Sequence, residues 1–294
     1  MDKNAKDYFE VLSDVVCKAV KNGHVPGGQY AALLVDEAHD FDEAWLRVAA
    51  SMVDPTTNSL LVLYDDAQSI YQKKRRKFTF SSVGIKARGR TNVLKFNYRN
   101  TAEVLAVASD LAQSLLVEER EEDEEGIRRV APVTAGRRGP MPVLIKAQNA
   151  NEEAGLIAER VVEALSDGFA LKDVAIICRT RQLMAPIVAA LKERHIAVQS
   201  MHEQAFRRFD WNIESMKVLT MHSSKGLEFP LVIVSGLQAL SAQGEEELED
   251  EIRLLYVAMT RATRELVLSA SGRSAVVDRI TDTLVAVEKR FREQ

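Results

Sequence analysis

Ala31-Ala32-Leu33-Leu34-Val35 runs directly into Asp36-Glu37-Ala38-His39-Asp40. Five apolar residues without a polar alternation, closed by a β-branched valine, read as a strand covered on both faces. Such strands belong to parallel sheets, whose crossover helices lie on either side. The same short apolar runs recur along the chain. They stand at Ser59–Tyr64, Asn92–Phe96, Pro142–Ala147, Asp173–Arg179, Lys217–Met221, Leu231–Gly236 and Glu265–Ser271. Segments with helical periodicity separate them, near 1–22, 42–52, 151–167, 182–194, 249–261 and 273–291, and another helix begins near Thr101, a candidate N-cap. Strand–helix alternation of this kind predicts an α/β fold of parallel sheets flanked by helices. A domain boundary is expected near Arg90, giving residues 1–90 and 91–294.

Composition narrows the function. The chain has 294 residues, 46% hydrophobic and 28% charged, enough to bury a sizeable core. No apolar run reaches the roughly 18–20 residues of a membrane helix, and the opening MDKNAKDYFE is too polar for a secretory signal. Cys17 and Cys178 lack metal-type spacing, so a disulfide scaffold or zinc ribbon is excluded and a reducing cytoplasm is the expected compartment. Net charge is −4. Bulk charge therefore does not draw this chain to nucleic acid, although a local basic track can.

The chemistry starts at the end of the first run. Ligands of open α/β sheets sit beyond the carboxyl ends of strands. There Asp36 can hold Mg²⁺ on a nucleotide, while Glu37 can polarise an attacking water. Two acids are needed because a metal-bound carboxylate is a poor base. Gln68, after the next strand, carries an amide able to bond both a water and a terminal phosphate oxygen.

Five blocks then occur in order: LLVDEAHDF (33–41), DDAQSIY (65–71), LKFNYRNT (94–101), VLTMHSSKGLEF (218–229) and EIRLLYVAMTRAT (251–263). Together they resemble motifs II to VI of the UvrD/Rep-type superfamily 1 DNA helicases. The DEAH string also suggests superfamily 2 RNA helicases, but the later blocks match superfamily 1 and no QxxGRxGR follows. The resemblance implies two RecA-like lobes closing on ATP and Mg²⁺, with hydrolysis driving movement along single-stranded or partly duplex DNA, usually 3′→5′. It implies Asp36 as the metal ligand, Glu37 as the water-activating base and Gln68 as the γ-phosphate contact. It places Tyr98 by the adenine, Glu228 on the ribose, and Arg99 and Arg261 on the γ-phosphate. Tyr71, Thr220 and His222 would lie along the DNA. A base stacked on a tyrosine gains about 1–3 kcal/mol. The helix ending at Arg261 is expected to bury Leu254, Val257 and Ala258 and to aim the arginine outward.

Departures from the pattern carry expectations of their own. None of the 14 glycines sits in GxxxxGK[ST], the loop that cradles nucleotide phosphates. The chain is accordingly expected to be the C-terminal part of a helicase, with little ATPase activity alone, the phosphate loop coming from a missing segment or a partner. The alternative is a non-catalytic, helicase-derived DNA-binding or scaffold subunit. Tyr64 stands where the family has glycine. Lys73 stands where a stacking aromatic is usual and, with Lys74, opens a run of five cations suited to phosphates and to salt-dependent binding. Between Met201 and Val218 the large helical insertion of bigger members is replaced by a short loop carrying Phe206, Phe209 and Trp211.

Overall fold

The computed structural model describes residues 3–65, 78–113, 132–240 and 244–293. It divides into two compact units, the first extending to Val93 and the second starting at Leu94.

In the first unit, helix α1 (Lys3–Lys21) precedes strand β1 (Ala32–Val35), helix α2 (Glu43–Ser51) and strand β2 (Ser59–Val62). Asp42 caps α2, its Oδ1 accepting from the Trp45 amide at 2.9 Å. β1 and β2 pair in parallel, Leu33 opposite Leu60 and Val35 opposite Val62. Those four residues face a small core of Ala38, Leu46, Phe80, Val83 and Ile85. The expectation of two covered faces is corrected here. Leu34 is 60% and Leu61 57% exposed, because the core residues lie on one side of the strand pair. The run at 92–96 also falls short of a full strand. Only Phe96–Asn97 (β3) pairs, with Val133–Thr134 (β4), and Leu94 remains 86% exposed. A partner two residues long cannot order the rest of the run.

The second unit is built on six strands: β5 (Val143–Lys146), β6 (Val174–Cys178), β7 (Val198–Ser200), β8 (Met216–Thr220), β9 (Phe229–Ser235) and β10 (Ala262–Ala270). Their order is β5-β10-β9-β6-β8-β7, and every pairing is parallel. All five residues of β6 are buried, as a central parallel strand requires. Helices α3 (Ala102–Leu111), α4 (Ala150–Ser166), α5 (Met184–Glu193), α6 (Glu245–Met259) and α7 (Ala275–Arg292) complete the α/β unit. Thr101 takes the N-cap conformation of α3, but its side chain does not cap; its hydroxyl lies 3.4 Å from the Arg264 carbonyl oxygen. Asn149 does cap α4, its Oδ1 accepting from the amides of Asn151 and Glu152. Asn149→Ala is expected to cost about 1 kcal/mol, read as a lowered midpoint in urea unfolding. Among the described residues no helix is long and apolar enough to cross a membrane.

Parallel strands give the sheet two distinct rims. Every connection between successive strands runs back from the carboxyl rim to the amino rim, and two of them join the two rims next to the candidate residues. One is the short segment between Thr220 and Phe229; the other contains α6, between Ser235 and Ala262. Both carry residues singled out in the sequence.

Candidate functional site

On the amino rim three distant segments meet. Ala262, opening β10, pairs with Phe229, opening β9, and the Phe229 amide donates to the Arg261 carbonyl at 2.9 Å. Glu228 and Arg261 are thereby neighbours, each one residue before its strand. The turn Asn97-Tyr98-Arg99-Asn100 docks onto the same place. Asn97 Oδ1 accepts from the amides of Arg99 (3.0 Å) and Asn100 (2.9 Å), and Asn97 Nδ2 donates to Asn100 Oδ1 at 2.8 Å. Asn100, 1% exposed, donates through Nδ2 to the carbonyls of Thr260 (2.9 Å) and Ala262 (2.6 Å). It clamps the backbone on both sides of Arg261. Nothing in the sequence marked Asn100 except its place inside NYRN.

The turn presents Tyr98 and Arg99 outward. Tyr98 is 72% exposed, its ring 6.3 Å from that of Phe96. Arg99 Nε lies 2.9 Å from Glu228 Oε2, both side chains about half exposed. Arg137 braces the turn from behind, donating to the carbonyls of Tyr98 and Arg99. A solvent-exposed ion pair is worth at most about 1 kcal/mol. Arg99 can therefore exchange a carboxylate for a phosphate oxygen at small cost, and a guanidinium can bind such an oxygen pair bidentately.

Arg261 departs from expectation. It is 1% exposed rather than aimed outward. Its Nε donates to the Val257 carbonyl at 3.0 Å, its Nη1 to the Leu227 carbonyl at 3.3 Å, and its Nη2 lies 3.4 Å from Thr260 Oγ1. The physical reason is local. A helix leaves its last carbonyls without intrahelical donors, and α6 ends two residues earlier, so the guanidinium folds back to serve one of them.

The carboxyl rim gathers a second group. Thr220 closes β8, and its hydroxyl lies 3.0 Å from that of Ser223. His222 occupies the following turn, half buried. Burial, helped by the Arg179 guanidinium and opposed by the Glu251 carboxylate, holds its imidazole below the ordinary histidine range. Arg179, next after β6, grips Glu251 of α6 in a fork: Nε to Oε2 at 2.8 Å and Nη2 to Oε1 at 2.7 Å. Those bonds raise the guanidinium pKa further.

The acids lie in the first unit. Asp36 follows β1 and is exposed; its Oδ1 accepts from the Glu37 amide at 2.8 Å. Glu37 adopts φ 51°, ψ 37°, a left-handed conformation uncommon for a residue with a Cβ. His39, overlooked in the sequence, is 2% exposed beneath it. Its Nδ1 accepts from the Asp65 amide at 3.2 Å, which puts the imidazole proton on Nε2, 2.9 Å from Glu37 Oε2. Tyr64, in the place where the family resemblance suggests glycine, packs edge-on against His39 and Phe80. The donor set suits a hard cation, since Asp36 and Glu37 offer carboxylate oxygens. Among Glu37, His39 and Asp40, whose ligand atoms lie within 4.8 Å of one another, the histidine presents a proton rather than a lone pair at the shared face.

The sequence candidates thus fall into three places. Tyr98, Arg99, Glu228 and Arg261 come together on the amino rim of the second unit. Thr220 and His222 share its carboxyl rim. Asp36 and Glu37 stand in the first unit. Gln68, Tyr71, Lys73 and Lys74 lie outside the described residues.

Comparison with known proteins adds a family match. A model of the UvrD-like helicase C-terminal domain matches residues 92–210 and 200–273, more than half of the chain. The ATP-dependent DNA helicase PcrA of Bacillus subtilis strain 168 is 42% identical over 84 residues, 26% of this chain and 11% of that protein. PcrA of Staphylococcus aureus strain MRSA252 is 40% identical over 60 residues, 18% of this chain and 8% of that protein. The matched stretch spans about a tenth of the length of these curated relatives. A solved C-terminal domain of a possible DNA helicase from Lactobacillus plantarum WCFS1 is 24% identical with a TM-score of 0.47, covering 64% of this chain and 96% of that one.

Proposed function

Because the chain belongs to the UvrD-like helicase C-terminal domain family, we propose that it is part of an ATP-dependent DNA helicase or translocase moving 3′→5′ on single-stranded DNA. In this reading residues 1–90 are a partial first RecA-like lobe and residues 91–294 the second, without a large insertion. The observation that carries it is the amino-rim cluster, where one buried asparagine fixes the backbone around Arg261 while Tyr98, Arg99 and Glu228 face outward.

The roles follow from side-chain chemistry. Tyr98 offers an exposed ring to the adenine, Glu228 an acceptor to a ribose hydroxyl, and Arg99 and Arg261 guanidinium groups to the γ-phosphate. Glu37 takes the proton of the attacking water, with His39 Nε2 lying 2.9 Å from its Oε2. Asp36 would hold Mg²⁺, which supplies charge neutralisation on the phosphates. Gln68 joins the terminal phosphate to the water. Thr220 and His222, with Tyr71, Lys73 and Lys74, hold the DNA.

Coupling has a structural route. Residues 221–228 lead from the DNA-side Thr220 through His222 to the nucleotide-side Glu228. In parallel, α6 joins Glu251, gripped by Arg179, to Arg261. In this reading a shift of the DNA-side turn reaches the nucleotide cluster through these two segments.

The phosphate loop is required from outside the given sequence, either from a further segment or from a partner protein. The experiment has two arms. The chain should bind single-stranded DNA with an affinity that falls steeply as salt rises, and should show negligible ATP turnover until a phosphate-loop-bearing segment is joined to it. DNA-stimulated turnover by the chain alone contradicts the need for that segment; absence of DNA binding contradicts the translocase reading. A second reading, a non-catalytic DNA-binding subunit, draws on the burial of Arg261 against backbone carbonyls. It predicts DNA binding with no turnover even after the segment is joined.

The histidine on the DNA side gives a pH dependence. Its folded-state pKa lies below the ordinary 6.5. Between the two values the unfolded chain binds the proton and the folded chain does not, so stability is intact above 6.5 and declines as pH falls through that window. DNA phosphates favour the protonated form, so affinity should rise over the same window. His222→Gln is expected to flatten both profiles, measured by thermal melts and by fluorescence anisotropy across pH 5–8, the range in which an imidazole titrates.

A further inference from the structure

Beside the DNA-side residues of the second unit lies a cavity of about 220 Å³, which none of the roles above employs. Ala150, Leu183, Pro186 and Ile187 form apolar walls, with Glu153 and Gly236 among the remaining lining residues. Glu153 projects from α4 and is 4% exposed. Its Oε1 accepts three hydrogen bonds: from Ser235 Oγ at 3.0 Å, the Gly236 amide at 3.0 Å and Ser269 Oγ at 2.7 Å. Its Oε2 has no partner among the described residues. A carboxylate with one oxygen saturated and the other open to the cavity can accept a hydrogen bond from a donor placed there. Gly236, at φ 76°, packs closely against the Leu183 wall. A Cβ there would sit 2.8 Å from Leu183 Cδ1.

We propose that this cavity receives a nucleobase bearing an exocyclic amino group, whose N–H donates to Glu153 Oε2. The inference rests on the translocase reading and gives it a base preference. Register supplies the location. Cys178 pairs with Ser235 on one side and with Thr220 on the other, so the three residues form one row across adjacent strands. Two strand spacings, about 9.5 Å, separate the cavity wall from Thr220. A strand whose backbone is held at Thr220 and His222 brings a neighbouring base within reach. The walls of Leu183, Pro186 and Ile187 suit the faces of a planar ring. The acceptor suits the amino group of cytosine, the edge that carboxylates read in nucleic acids. Thymine presents carbonyl oxygens on either side of its one N–H and would set them against the carboxylate.

The test compares oligodeoxycytidine with oligothymidine of equal length, titrated against the full chain by fluorescence anisotropy. The wild type should bind the cytidine oligomer about tenfold more tightly. Glu153→Gln retains an acceptor for Ser235, Gly236 and Ser269 but turns an amide N–H₂ toward the cavity, so it should reverse the order. Ala150→Trp, which closes the mouth without altering the carboxylate, should abolish the preference while leaving thymidine affinity unchanged. It also decides the matter if Glu153→Gln fails to fold by circular dichroism. Equal wild-type affinities, or a preference that survives either folded variant, overturn the pocket while leaving the translocase reading intact. Binding of neither oligomer overturns both.

Discussion

Asn100→Ala should lower the unfolding free energy by about 2–4 kcal/mol, more than any exposed substitution on the same rim. The side chain is 1% exposed and fully occupied: two carbonyls accept from Nδ2, and Oδ1 receives Asn97 Nδ2. Alanine leaves those partners without it in a site water does not reach, and each unmet buried group costs about 1–3 kcal/mol. Relaxation and the sheet bonds of β10 recover part of the sum. Arg99→Ala, two atoms of backbone away in the same turn, removes only an exposed pair and should change stability by less than about 1 kcal/mol. Asn100→Asp should be worse than alanine, since it turns an oxygen toward two carbonyl oxygens. Urea unfolding of the three variants measures the ranking. If Asn100→Ala lies within 1 kcal/mol of wild type at an unchanged m-value, the clamp contributes nothing to the fold, and the convergence of the three blocks has another cause.

The same contrast explains what the sequence made legible. The β6 run Val174–Cys178 is apolar because both faces are covered, and its period-free pattern announced as much. β7, Val198–Ser200, went unread: three residues at the sheet edge, one of them glutamine, carry no pattern. β1 has the composition of a two-face strand, yet Leu34 and Leu61 stand exposed, so composition recorded a need for cover that the described core meets on one side only. Among site residues, the strings around Tyr98, Arg99, Glu228 and Arg261 pointed to chemistry, but strings give types, not partners. Asn100 acts through two carbonyls some 160 residues away, a separation that local reasoning does not bridge. His39 was legible only as a letter of DEAH; its bond to the Asp65 amide exists because β2 ends beside β1.

Arg261 is buried by its whole surroundings and not by one face of a helix. Every residue from Leu254 to Thr260 is buried, and Arg261 follows directly at 1% exposure. The end of α6 therefore lies inside the unit, and the arginine with it. In the proposed role, burial and phosphate contact meet in the geometry of the guanidinium. Nε holds the Val257 carbonyl at 3.0 Å, while the contacts of Nη1 and Nη2 are longer, at 3.3 and 3.4 Å. A planar fork with five donors can keep its Nε anchor and turn its outer nitrogens to a phosphate. A lysine has one nitrogen and cannot serve both places. In the protein joined to a phosphate-loop segment, Arg261→Lys is accordingly expected to fold but to lose about 10³-fold or more in kcat, the range seen when such guanidinium groups are removed from phosphoryl-transfer sites. Tyr98→Ala should instead raise KM for ATP by loss of ring contact, with kcat little changed. Steady-state turnover on saturating single-stranded DNA separates the two. If the lysine variant keeps more than a tenth of wild-type turnover, the guanidinium serves only the end of α6, and the buried arginine is structural.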